Sequence, residues 1–208
     1  MSADSQSSYV IARELIDAAH RKDPAYIARS THSEAGTSGS AHNAAEDDNG
    51  QDETDHQDEM SYADGVEAWA VKLLETDEQS TKLTSGPGGI ELIRLAARCQ
   101  HLERFLTPRS SFPEGKMGYL KWRKTLYGIQ ADRARELLRQ AGVAENEADM
   151  VRRWVSKTDL QPGKPSGDAG TQLLEDAAVL VFLQDQLGGF AEKHKDYKKE
   201  KTVGILAK

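Results

Sequence analysis

The chain has 208 residues, enough for one ordinary domain, and a formal net charge of -7 from 27 Lys and Arg against 34 Asp and Glu. Its single Cys excludes a disulfide framework within one chain and any all-thiolate zinc site. No stretch approaches the ~20 apolar residues of a membrane span, and no basic-then-apolar secretory signal opens the chain, so the composition reads as a soluble, cytoplasmic, mostly helical protein.

The first predicted helix is capped by Ser7 or Ser8 and carries Val10, Ile11, Leu15, Ile16 and Ala19 at helical spacing. Asp23-Pro24 ends it, because the residue before Pro disfavours the α region. Residues 30–59 then hold 9 acidic side chains, no Lys or Arg, and no Leu, Ile, Val, Phe, Tyr or Trp. Setting them aside turns the net charge from -7 to +2 over the other 178 residues. A stretch with nothing to bury cannot offset its ordering entropy, which predicts a disordered acidic insertion. His32, His42 and His56 lie inside it, where disorder supplies no fixed ligand geometry.

The second helix carries Tyr62, Val66, Trp69 and Leu73. Ser85-Gly86-Pro87-Gly88-Gly89 reads as a hinge, although its amides precede a helix and would suit a phosphate. Helix three is expected from Ile90 to Phe105, helix four from Gly115 to Gln140, and helix five around Met150, Val151, Trp154 and Val155. Helix six carries Leu173, Leu180, Leu183, Leu187 and Phe190, and a final basic helix runs from Glu192 to Lys208. No strand-length alternation or repeat occurs. The expected fold is an all-α, single-domain bundle of about seven helices. The expected division is an N-terminal helix over 1–29, the insertion over 30–59, and the main helical domain over 60–208.

Polar residues on apolar stripes supply the candidate site. Asp176 falls at the 3–4 spacing of Leu173, Leu180 and Leu183, so its carboxylate is expected inside the bundle, where it needs a cation, a metal or its own proton. Two readings stand: an ion pair with Arg98 or Arg123, or a ligand or metal role. Gln130 and Arg123 interrupt the stripe of helix four in the same way, and a guanidinium near a core must be compensated. His101 lies on helix three among Arg94, Arg98 and Arg104, either as a hydrogen-bonded second-layer residue or as a ligand. His20 reads as a partner of the first helix's C-terminal dipole, and Cys99 as core. No phosphate-binding P-loop, H-E-x-x-H or G-x-S-x-G motif is present.

Four phrases, in order and with similar spacing, resemble one family, domain of unknown function 4202. They are DAAHRKDP (Asp17 to Pro24), RCQHLERF (Arg98 to Phe105), TPRSSFPEGKMGYLKWRKTL (Thr107 to Leu126) and QLLEDAAVLVFL (Gln172 to Leu183). The resemblance covers nearly the whole chain outside the acidic stretch and extends to fungal proteins labelled glutamyl-tRNA synthetase. Neither synthetase signature occurs: there is no H-I-G-H, and KMGYL is not K-M-S-K-S. The family's usual T-W-R-K-M-S ending is missing after Ala207-Lys208, which reads as a truncated C-terminus.

In helix order the family is similar to HD-domain phosphohydrolases, which gather a His, an adjacent His-Asp pair and a distal Asp around one or two metals. That resemblance places the His-Asp pair on Gln100-His101 and the distal Asp on Asp176, and leaves the helix-two His without a counterpart. It also sets Gln130 where family members commonly carry His. It implies His101 and Asp176 as catalytic and metal-ligating residues of a degenerate site for a divalent metal. Arg98, Arg109, Arg123 and Gln130 would hold a phosphate-bearing small ligand. The alternative is a non-catalytic accessory or RNA-binding module. Its basis is a basic stretch from Arg104 through Arg109, Lys116, Lys121, Arg123, Lys124, Arg133 and Arg135 to Arg139, interleaved with Tyr119, Trp122 and Tyr127.

Overall fold

In the computed structural model, the described residues are 3–34, 57–76, 83–161, 164 and 166–188. They include seven α-helices of given bounds and no strand: α1 (Ala3–His20), α2 (Pro24–Glu34), α3 (Glu59–Thr76), α4 (Gly89–Arg98), α5 (Gly115–Gln140), α6 (Glu145–Val155) and α7 (Ala169–Val181). Two 3-10 turns, Arg104–Leu106 and Arg109–Ser111, link α4 to α5, and a π-helical turn, Phe182–Gln186, follows α7. The disorder expected of the acidic insertion concerns mainly residues 35–56, and the final basic helix concerns residues 192–208. Both lie outside the described residues.

The insertion's edges differ from expectation. Residues 30–34 continue α2, and Asp58 and Glu59 are buried at the start of α3. Asp23-Pro24 ends α1 and also starts α2, since Pro fits the first helical position and the Asp23 carboxylate accepts the Ala25 N–H at 3.0 Å. The other Asp23 oxygen accepts the Glu59 N–H at 2.8 Å, so one carboxylate caps two helices. Asp58 caps α3 through Ser61 N–H at 3.0 Å, and Asp168 caps α7 through Thr171 N–H at 2.8 Å.

Helix α4 is the central element, touching α1, α3, α6 and α7. It buries Leu92, Ile93, Leu95, Ala96, Ala97 and Arg98. It is shorter than expected: the helix stops at Arg98, and His101 and Glu103 adopt left-handed backbone conformations with φ of 60° and 53°.

The buried faces of α1 and α7 are rotated from the expected stripes. On α1, Tyr9, Ala12, Ile16 and Ala19 are buried while Val10 and Ile11 are exposed. On α7 the buried residues are Gly170, Thr171, Leu174, Ala177 and Val181. Small residues let these helices approach closely. A Cβ on Gly170 would lie 2.3 Å from the Trp154 ring, and one on Gly65 would lie 3.2 Å from Val181. Among the described residues no helix is long and apolar enough to cross a membrane.

Candidate anion site

The rotation of α7 decides the fate of Asp176. It stands one residue, about 100° of helix, from buried Ala177 on the solvent side. Its carboxylate is exposed and accepts only a 2.8 Å bond from Gln172 one turn away. It is therefore neither inside the bundle nor paired with Arg98 or Arg123. The neighbouring acid, Glu175, is the one that turns inward, forming an ion pair with Lys157.

Arg98 serves another cluster. Its side chain is 2 % exposed and donates to Asp17 and Asp64 at 2.6 Å and to Glu67 at 2.9 Å. Glu67 in turn accepts from Arg13 and Arg94. Burial alone would raise the Glu67 carboxyl, but the bonds from Arg13, Arg94 and Arg98 pull it down to about 2. His20 is fully buried; its Nε2 lies 2.7 Å from the Arg98 carbonyl and its Nδ1 3.3 Å from Glu59. It is thus a buried residue in the last turn of α1 whose ring meets the C-terminal end of α4. Arg109 donates to the carbonyls of Phe112 and Gly115, bracing the entry to α5.

The geometry brings together His101 and Arg123 with three residues that sequence reasoning left out of the site: Arg104, Lys157 and Tyr127. The His101 ring stacks on Tyr62 at 3.8 Å between centroids and 9° between planes. One Arg104 nitrogen lies 3.4 and 3.3 Å from the two imidazole nitrogens, and its guanidinium covers Trp122 at 4.8 Å. Arg123 donates to the Tyr127 hydroxyl at 2.6 Å and the Tyr119 hydroxyl at 3.2 Å. Lys157 and Arg123 flank the Tyr127 ring at 4.6 and 5.5 Å. Burial, followed by the charges of Arg104, Arg123 and Lys157, holds His101 well below its ordinary value, so the imidazole is neutral near pH 7.

Arg104, Arg109 and Arg123 have no carboxylate partner among the described residues, Arg109 being met by backbone carbonyls, whereas Arg13, Arg21, Arg29, Arg94, Arg98, Arg133, Arg135, Arg139, Arg152 and Arg153 each have one. Three cations around His101 against the single carboxylate of Glu175 leave a surplus of two positive charges. Gln130 shares the α5 face of Arg123 and Tyr127; it is 5 % exposed, and its buried amide nitrogen has no hydrogen-bond partner. Buried donors in that state are uncommon and want an acceptor.

These residues do not fit the divalent metal of an HD-type centre. The cations around His101 repel one, Asp176 faces solvent, and no three His, Cys, Asp or Glu among the described residues converge on a ligating geometry. In the basic stretch of α5, Arg133, Arg135 and Arg139 are paired with acidic side chains and Trp122 is buried, while Lys116, Lys121 and Lys124 are exposed.

Among the described residues, which are helices and turns, the cationic cluster beside the neutral His101 is the candidate site. The chain belongs to the family described as Domain of unknown function (DUF4202), whose model matches residues 11–208. No curated protein and no solved structure matches it.

Proposed function

We propose that this protein is a cytoplasmic, non-catalytic binding module for a small ligand bearing a phosphate group, held by Arg104, Arg123 and Lys157 around His101. The observation that carries the reading is the pair of guanidinium groups without a carboxylate at one place in the fold. A partly buried guanidinium is costly unless its charge is matched, and its planar fork suits phosphate oxygens. The surplus of two charges equals that of a phosphate monoester dianion. The orphaned amide of Gln130 offers one more donor on the same helix face. Hydrolysis through a His–Asp metal centre is the weaker reading, because Asp176 points away from the cluster.

The test is calorimetric titration of the full chain with inorganic phosphate and then with a panel of phosphate monoesters. Binding that falls about tenfold or more in Arg123→Gln and Arg104→Gln is expected, the loss of one charge-assisted contact each. Failure of the folded wild-type chain to bind any of them, or equal binding by the double variant, would overturn the reading.

A further inference from the structure

We propose that the first half of α5 is a docking surface for an anionic lipid membrane, with Met117 and Leu120 entering the interface and Lys116, Lys121 and Lys124 meeting the acidic headgroups. Residues 115–131 hold Lys116, Lys121, Arg123 and Lys124 and no Asp or Glu. Arg123 turns in to the Tyr119 and Tyr127 hydroxyls, whereas the three lysines are exposed. Met117 is 77 % exposed, the most of any large apolar residue among the described ones, and Leu120 is 49 % exposed. At 100° per residue, Leu120, Lys124, Met117 and Lys121 share an arc of about 100°, with Lys116 on the flank beside Leu120. Gly118, Trp122 and Leu126, on the far side of the helix, anchor it to the fold. Leu106, in the turn before α5 and also exposed, adds an apolar residue at the same end.

The chemistry of the face selects its occupant. A large apolar side chain in water between lysines wants a partner that is both apolar and negative. Neither remaining segment of this chain meets both demands. Residues 35–56 are acidic but contain no Leu, Ile, Val, Met, Phe, Tyr or Trp with which to cover Met117 and Leu120. Residues 189–208 contain Phe190, Val203, Ile205 and Leu206, but six Lys against three Asp and Glu give them the same sign as the face. A second copy joined through this face would set lysine against lysine. Nucleic acid would match the charge but would leave the apolar residues unused. It would also find no exposed ring on α5 to stack on, because Trp122 is buried and Tyr119 and Tyr127 are half-buried. A peptide helix is held by a groove, and an exposed helix face is convex.

A lipid interface satisfies every term. A convex apolar ridge enters it without needing a groove, and lysine stems lie along the apolar surface while their ammonium groups reach the headgroups. Lysine, a point charge on a flexible stem, suits a diffuse layer of negative headgroups, whereas arginine's fork suits a fixed anion. The two cation types divide in that way here. Arg123 lies on the neighbouring arc of α5, inside the cationic site, so the surface stands on residues separate from that site. The contact is interfacial and reversible, of the kind an amphipathic face makes without spanning the bilayer.

The full chain is titrated with vesicles of phosphatidylserine and phosphatidylcholine mixed at about 1:3, in about 0.1 M salt. Pure phosphatidylcholine vesicles, polyglutamate and polyuridylate are the comparison probes. The mixed vesicles should bind, and binding should weaken as salt is raised. Lys116→Gln, Lys121→Gln and Lys124→Gln should each lower the affinity about fivefold. Met117→Ser and Leu120→Ser should each lower it about tenfold. Met117→Cys carrying an environment-sensitive fluorophore should shift to the blue on the mixed vesicles; the native Cys99 is buried and stays unlabelled. The same label on Val10→Cys should not shift, since Val10 is exposed on α1, whose Ser8 approaches Gly142 beyond the far end of α5. Circular dichroism confirms that each variant is folded, and should a serine variant not fold, the labelled Met117→Cys decides. No binding of the wild type to the mixed vesicles, or binding indifferent to Met117→Ser and Leu120→Ser, overturns the proposal. So does polyglutamate or polyuridylate binding as tight as that of the vesicles, which would assign the lysines to an acidic protein or to RNA.

Discussion

Glu67→Gln is the sharpest probe of what holds α1, α3 and α4 together. The Glu67 side chain is 8 % exposed and accepts from Arg13, Arg94 and Arg98. Its pKa falls from an ordinary 4.5 to about 2 in the folded chain. That difference corresponds to about 3 kcal/mol of folding stability. The folded pKa is the lower one, so the contribution is complete above the unfolded value and disappears as pH falls from 4.5 toward 2. Glutamine keeps the shape but removes the charge. Arg13 and Arg94 are 38 % exposed and can return to water, whereas Arg98, at 2 %, must rely on Asp17 and Asp64. The expected loss near pH 7 is about 3 kcal/mol, or a melting temperature lower by roughly 6–12 °C for a chain of this size. Urea denaturation followed by far-ultraviolet circular dichroism, near neutrality and again near pH 3, measures both terms. The variant should also lose most of the wild type's decline in acid. A loss below about 1 kcal/mol, or an acid decline as steep as the wild type's, would refute the reasoning.

Asp176→Ala should change stability by no more than about 0.5 kcal/mol and leave phosphate affinity alone, because the side chain is exposed; calorimetry and thermal melting check both. Gly170→Ala should cost about 1–3 kcal/mol, since its Cβ would lie 2.3 Å from Trp154, and a melting curve equal to wild type would contradict that close packing. His101 is held below its ordinary value, so stability should be complete above about pH 6.5 and decline as pH falls below it. His101→Asn should flatten that part of a denaturation profile. Lys157→Gly should stay within about 1 kcal/mol of wild type, a relaxed backbone offsetting a lost ion pair, while sulfate affinity drops severalfold in calorimetry.

The helical class and the bounds of α5 were legible because periodicity and the flanking Pro113 agree over 26 residues. Helix α2 was missed because Asp23-Pro24 carries two messages, a stop for one helix and a cap with a first residue for the next. The rotated faces of α1 and α7 have a common cause. Large aliphatic residues dominate a hydrophobic stripe on paper, but helices packed this closely meet through alanine and glycine, and Val10, Ile11 and Val179 are left in water. That error alone placed Asp176 in the interior. Nothing in the sequence marks the end of α4, since its left-handed residues are His101 and Glu103 rather than glycine. His101 and Arg123 were found because they interrupt apolar stripes. Lys157 and Glu175 carried no such signal, being charged residues at a helix end and on a helix flank. The partners of Arg98 were equally silent, because Asp17, Asp64 and Glu67 become neighbours only when α1, α3 and α4 converge.

Two of the site's residues occupy backbone positions that glycine would fill more cheaply. His101 has φ 60° and Lys157 has φ 58°. Lys157 follows the C-cap of α6, where the Thr158 N–H reaches back to the Arg153 carbonyl in the geometry that most favours glycine. A left-handed residue with a side chain costs on the order of 1 kcal/mol. What each side chain adds is charge or hydrogen-bonding capacity aimed at one place: the imidazole between Tyr62 and Arg104, and the ammonium over Tyr127. The contrast with the Arg98 cluster supports the same conclusion. There every buried charge is matched by carboxylates from neighbouring helices, so the cluster is electrostatically complete and its work is structural. Around His101 the left-handed backbone and the unmatched guanidinium groups occur together, and a ligand of opposite charge would match the guanidinium groups.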